Sequence, residues 1–330
     1  MNAIALVEAP DHVCCRYRIR AFGPAFSAHG GSLQIEVIPR GGGARMRQFW
    51  RLGRFDAVIV QRRLLPTWQI KVLRRFSRRL IFDFDDAVYC RDSYHPRGIV
   101  SRVRARRFAQ TVRAADIVIA GNEFLRQAAM RSGAEPLAVR VIPTCIDPNR
   151  YVKADHDRKR NGLELVWVGS SSTLQGLERS RQLWRKLALA MPNLRMRQIS
   201  DRFSDLDPMP VLKIKWLEDS ERAEIASGDI GVSWIPDDEW SRGKCGLKIL
   251  QYQAASIPVI ANPVGVHCSM IEQGVSGFLA DGAEEWIEAV RLLSDPTRRR
   301  VLGEAGHASA AANYSIVRWA PEFIGALTGS

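Results

Sequence analysis

The chain has 330 residues, 46% of them apolar and 25% charged, with a formal net charge of +13. The length suits two domains of about 150 residues each, the apolar share suits a well-cored soluble protein, and no apolar run reaches the roughly 18 residues of a membrane helix. Cys14, Cys15, Cys90, Cys145, Cys245 and Cys268 form no C-x-x-C pair and have no matching histidine spacing. That pattern gives no reason to expect structural zinc, and reduced thiols in a cytoplasmic protein are expected.

The start, Met1 to Val7 followed by Glu8, is too short and too uncharged for a signal peptide and reads as a first buried strand. Within it the apolar run is Ile4–Val7, and further short apolar runs follow at Leu33–Ile38, Asp56–Val60, Leu80–Phe84, Asp116–Ala120 and Val139–Pro143. Helix-like stretches lie between them at Tyr17–Ala28, Trp68–Arg78, Val100–Ala114 and Glu123–Arg131. The polar segment Lys153–Asn161 breaks the pattern as a linker would. The alternation restarts at Leu163–Val168 and continues through Leu194–Ile199, Val211–Trp216, Ile230–Ile235, Val259–Ala261 and Gly277–Leu279. A last helix, Ser315–Leu327, carries Trp319 and Phe323 and is expected to pack back toward the domain junction. Strands alternating with helices predict parallel sheets with right-handed crossovers, hence two doubly wound α/β domains facing across a cleft. The expected boundaries are 1–152 for the first domain, 162–312 for the second and 313–330 for the returning helix.

Charge is placed unevenly. Residues 1–150 hold 26 Lys/Arg against 12 Asp/Glu, and residues 151–330 hold 22 against 23. No acid occurs between Ala57 and Phe82, whereas Lys71, Arg74, Arg75, Arg78 and Arg79 surround a helical repeat of Trp68, Val72 and Phe76, with Arg102, Arg104, Arg106 and Arg107 further on. Such a surface attracts polyanions. Zinc-finger spacings and paired aromatics on a basic strand are lacking, so an anionic membrane face is the expected partner and nucleic acid is not.

The most informative stretch is Ser241–Gly265. A glycine-bearing loop with Gly246 opens a helix, and Lys244 and Lys248, four residues apart, are expected on its first turns. Helix N–H groups and two ammonium groups together make an anion site, plausible for a diphosphate. A nucleotide-containing ligand in the second half follows.

The same stretch, Arg242–Gly265, resembles the R-G-K-C-x-x-K-x-L-Q-Y segment of GT-B fold retaining glycosyltransferases grouped as family 4, in their bacterial branch. Ile271–Leu279, Val166–Thr173, Ile81–Ala87 and Arg16-Tyr17-Arg18 look like further matching segments, so the resemblance spans nearly the whole chain. It implies a transferase that moves a sugar from a nucleotide-diphosphate donor, held in the second domain, to a glycan or lipid-linked acceptor met by the first. It also implies retention, with the leaving phosphate taking the acceptor proton, and a role in bacterial surface polysaccharide synthesis. No cofactor beyond the donor and no metal are expected, and the enzyme would be cytoplasmic or peripheral on the inner membrane face.

Better-known members carry two glutamates eight positions apart, where this chain has Gly243 and Gln251. Gln251 still accepts a ribose hydroxyl bond, whereas Gly243 offers no carboxylate, leaving Asp237, Asp238 or Glu239 as substitutes. Donor cleavage builds negative charge on the leaving phosphate, which Lys244 and Lys248 would stabilise directly. Ser171, Ser172 and Thr173 would cap the helix after the Gly169 loop against phosphate. Arg16, Arg18, Asp85, Asp86 and His95 are expected at the acceptor side or cleft. Asp83-Phe84-Asp85-Asp86 is literally a D-x-D, so a divalent metal there is an alternative. Cys14-Cys15 has no histidine partner and reads as packing. The absence of G-x-S-x-G, H-E-x-x-H and P-loop motifs argues against hydrolase, zinc-protease and NTPase chemistry. Two other readings stay open: a non-hydrolysing epimerase of the same fold, and a non-catalytic polyanion- or membrane-binding homologue.

Overall fold

The structure, a computed structural model, describes residues 1–159 and 161–329. Arg160, inside the expected linker, and Ser330, the last residue of the expected C-terminal segment, lie outside the described residues. Contacts divide the chain into two compact units. The first comprises Met1–Cys145, Asp238–Cys245 and the segment from Ile316, and the second comprises Ile146–Asp237 and Gly246–Ser315.

In the first unit, β1 (Asn2–Val7), β2 (Ser32–Val37), β3 (Ala57–Gln61), β4 (Leu80–Phe84), β5 (Ile117–Ala120) and β6 (Val139–Val141) form one parallel sheet in the order β2-β1-β3-β4-β5-β6. Its central strands are buried on both faces, which is why they read as unbroken apolar runs. Alternate side chains feed two cores. Phe82 and Phe84 pack with Phe49, Leu73 and Phe108, while Ile59 and Ile81 pack with Phe22, Phe26 and Phe323. The C-terminal helix, Ile316–Thr328, thus completes the core of the first unit, with Phe323 stacked on Phe22 at 4.5 Å.

The second unit repeats the plan with β7 (Leu163–Val168), β8 (Leu194–Ser200), β9 (Val211–Lys215), β10 (Ile230–Ser233), β11 (Val259–Ala261) and β12 (Gly277–Leu279). These strands are parallel in the order β12-β11-β10-β7-β8-β9. Trp184 and Trp286, both fully buried, meet edge to face at 5.5 Å in its core. The polar segment expected as a linker is pinned to this unit. His156 Nε2 donates to the Ser256 carbonyl at 2.8 Å, Arg158 donates to the Ser227 carbonyl at 2.8 Å, and Arg300 pairs with Asp157.

Two helical expectations change. Tyr17–Ala28 is not one helix but Val13–Arg18, a 3-10 turn at Arg20–Phe22 and Gly23–Ala28, because Pro24 lacks the N–H that continuation requires. The helix expected over Trp68–Arg78 runs Thr67–Phe76 and buries Gln69, Ile70 and Leu73, not the Trp68–Val72–Phe76 seam. Gln69 is buried because its side-chain oxygen accepts from Arg45 at 2.6 Å, and Trp68 is consequently turned out, 54% exposed. Among the described residues no helix is long and apolar enough to cross a membrane.

Candidate functional site

Doubly wound sheets bind ligands beyond the carboxyl ends of their strands, where the strand order reverses. In the second unit the reversal falls between β7 and β10. After β7 the chain turns at Gly169, where a Cβ would lie 2.6 Å from the Trp167 ring and 2.7 Å from Thr173 Oγ1. Ser171–Arg179 then forms a helix. Ser170 makes no side-chain cap; instead Asp201 accepts from the Ser171 N–H at 2.6 Å, and the hydroxyls of Ser170 and Ser172 meet at 2.7 Å. Burial raises the Asp201 carboxyl, but the Ser171 bonds outweigh it and hold it below its ordinary value. The expected phosphate-facing N–H of Ser171 is therefore occupied by the protein's own carboxylate.

Lys248 enters from the helix Leu247–Ala254. Its ammonium stands 4.7 Å over the Trp167 ring and 3.4 Å from Thr173 Oγ1, so the cation and the Gly169 turn are brought together as expected from sequence. The helix opens at Gly246, with φ +65°, where a Cβ would meet Met270 Sδ at 2.3 Å. Glycine is required there for both backbone and space. Beside Lys248 lies His267, which the sequence reading missed. Its Nδ1–H donates to the Asn262 carbonyl at 2.8 Å, which leaves Nε2 to accept from Ser233 Oγ at 3.2 Å. Burial, with the Lys248 charge adding to it, lowers the His267 pKa to about 4. Asn262 in turn bridges the N–H and C=O of Ile235. Gln251 is on the same helix but only 3% exposed.

In the first unit the order reverses between β1 and β3. Gln61 donates to the Cys14 carbonyl at 3.0 Å, and Arg62, in the left-handed region at φ +57°, forks onto Asp85 at 2.8 Å and Asp86 at 2.7 Å. A non-glycine residue in that region is a point of backbone strain, of the kind that gathers at functional sites. Burial works against the Asp85 carboxylate, but Arg62 and then Arg18 outweigh it and lower its pKa. Arg62 Nη1 also contacts the Cys14 thiol at 2.5 Å, yet burial and then Asp85 push that thiol well up, so Cys14 is no ready nucleophile.

Arg18, expected at a cleft, is instead buried. It forks onto Asp83 at 2.6–3.1 Å and donates to the Ile142 carbonyl at 3.0 Å, ties that an exposed ligand group would not have. Asp83, Asp85 and Asp86 are thus all matched by arginines, and among the described residues no group of three His, Cys, Asp or Glu side chains could hold a metal. Arg16 is half-buried over the Tyr17 ring at 5.4 Å. His95 Nδ1 accepts from the Arg97 N–H at 3.1 Å within its own loop.

The segment Asp238–Cys245 belongs to the first unit, so Lys244 and Lys248 fall in different units. Lys244 also precedes the helix rather than lying on its first turn. Its ammonium is 3.8 Å from Asp86 and 5.3 Å over the Trp240 ring. Asp238 caps the short helix Glu239–Arg242, accepting from Ser241 N at 2.9 Å and from Ser93 Oγ at 3.0 Å. Glu239 is exposed; burial and then its charge push the Cys90 thiol up to about 12.

No family model matches the sequence, and no curated protein matches it either. Solved structures do. HepE of Anabaena, in complex with UDP-glucose, is similar over 100% of both chains with a TM-score of 0.70 at 16% identity. Sucrose-phosphate synthase of Thermosynechococcus elongatus is similar over 98% of this chain and 96% of that one, with a TM-score of 0.73 at 16% identity. The lipopolysaccharide outer core galactosyltransferase WaaB, in its apo form, is similar over 100% of this chain and 99% of that one, with a TM-score of 0.68 at 11% identity. The fold is accordingly that of the GT-B glycosyltransferases.

Proposed function

We propose that this chain is a glycosyltransferase that moves a sugar, with retention, from a nucleotide-diphosphate donor to a glycan or lipid-linked acceptor in bacterial surface polysaccharide synthesis. The observation that carries the reading is Lys248 beside Thr173 and the Gly169 turn, at the strand-order reversal of the second unit. A fixed ammonium there stabilises the charge that grows on a departing diphosphate. Similar folds hold UDP and UDP-glucose, which makes a uridine diphosphate sugar the first donor to try. Lys244 and Gln251 belong to the proposal through their positions in the Arg242–Gly265 motif. Asp85, Asp86, Arg16 and His95 are assigned to the acceptor side.

The membrane face remains the proposed partner of the basic half. Trp68, Lys71 and Arg75 share the outward face of the helix Thr67–Phe76, and among the described residues Lys71 and Arg75 have no carboxylate partner. The test is incubation of the chain with UDP-glucose and a lipid-linked glycan extract. Sugar transfer with the anomeric configuration kept supports the reading; neither transfer nor UDP release from a panel of UDP-sugars overturns it. The crowding at Gly243, which leaves no room for a carboxylate there, favours one second reading, a non-catalytic polyanion- or membrane-binding homologue of the same fold, and binding to anionic vesicles with neither sugar transfer nor UDP release would select it.

A further inference from the structure

The N–H groups of the segment that carries Lys244 are tied, Gly243 N to the Trp240 carbonyl at 3.1 Å and Lys244 N to the Ser241 carbonyl at 3.0 Å, which leaves its carbonyls to be matched. The helix Glu239–Arg242 is a single turn, and the chain then crosses Gly243, Lys244 and Cys245 without regular structure before Gly246. Carbonyls in such a stretch have no helical partner and need one from elsewhere. One side chain supplies it. Asn122, 8% exposed and just past the end of β5, donates from Nδ2 to the Gly243 carbonyl at 3.3 Å and to the Lys244 carbonyl at 3.0 Å. Its Oδ1 accepts from Leu125 N at 2.8 Å, capping the helix Glu123–Arg131. Only an oxygen can accept from that N–H, so the amide orientation is fixed and the NH₂ must face the two carbonyls. Gly243, wedged on Ala87, closes the other side.

We infer that Asn122 is a positioning residue for Lys244, clasping the backbone on which the ammonium is carried. This rests on the proposal that Lys244 meets the donor diphosphate. The clasp spans 121 residues of sequence and ties the Lys244 backbone to a helix N-terminus anchored on the first sheet. A lysine on an untied loop would place its charge less reproducibly, and misplacement of a charge-stabilising group is costly in binding and rate.

Asn122→Ser separates the two roles, because serine caps a helix about as well as asparagine but cannot reach the carbonyls. The test measures UDP affinity by calorimetry and the thermal midpoint, for the parent, Asn122→Ser, Asn122→Ala, Lys244→Ala and the Asn122→Ser/Lys244→Ala pair. The clasp predicts a near-parental midpoint for Asn122→Ser with UDP bound about tenfold more weakly, the size of one displaced charge-assisted contact. It also predicts no further weakening when Asn122→Ser is added to Lys244→Ala, since both act through one ammonium. Asn122→Ala, which loses the cap as well, lowers the midpoint. Parental affinity in Asn122→Ser, or undiminished weakening in the Lys244→Ala background, overturns the clasp. If Lys244→Ala itself binds UDP like the parent, Lys244 has no donor role and the inference falls while the Lys248 site stands. If the parent does not bind UDP, the donor reading fails and takes the clasp with it.

Discussion

A Cβ on Gly243 would lie 2.8 Å from the Cβ of Ala87 and 2.8 Å from its backbone nitrogen. Gly243 therefore stands where two backbones touch, and there is no space for a glutamate side chain at that position. Gly243→Ala is expected to cost about 1–3 kcal/mol through overpacking, and Gly243→Glu more, without any gain in sugar transfer. Thermal midpoints check this; an unchanged midpoint for Gly243→Ala would contradict the close approach.

The carboxylate of Asp201 caps the helix Ser171–Arg179 through the Ser171 N–H. Asp201→Ala is expected to destabilise the second unit by about 1 kcal/mol, the usual worth of a cap, and Asp201→Asn, which keeps an acceptor oxygen, by less. Denaturant titration of the three proteins reads the difference, and equal midpoints for all three would remove the capping role.

Stability should fall on acidification below the ordinary histidine range. His267 has its pKa depressed from 6.5 to about 4 by burial. Below 6.5 the unfolded chain takes up a proton that the folded one refuses, so stability present at neutral pH is lost progressively down to about pH 4. The slope reaches at most about 1.4 kcal/mol per pH unit for one such group. His156, also lowered chiefly by burial, adds in the same direction. His267→Gln should flatten part of this dependence between those limits, and an unaltered pH profile would show that His267 is not the group responsible.

All twelve strands were legible in the sequence: the central parallel strands are buried on both faces and read as apolar runs, while the edge strands β2 and β9, largely exposed, still carry aliphatic and β-branched residues. The Gly169 turn and the glycine-opened helix that carries Lys248 were legible too, since each has a local signal. What escaped depends on partners distant in sequence. Arg18 lies 65 residues from Asp83, so nothing local marks it as buried. The membership of Asp238–Cys245 in the first unit rests on Asn122, Ser93 and Ala87, none of which the motif contains. The outward turn of Trp68 also depends on a distant partner, since Arg45 bonds Gln69 on the buried face of the same helix.

Calorimetric titration of UDP into the parent and Lys248→Ala, first without and then with Mg²⁺, asks whether the second unit holds a nucleoside diphosphate through Lys248. Metal-independent binding by the parent is expected, with a loss of at least about tenfold in the variant, the order of a hydrogen-bonded charge removed from an anion. Affinity within about twofold of the parent in Lys248→Ala, well below the tenfold that 1.4 kcal/mol represents, would contradict it, as would binding that appears only with the metal.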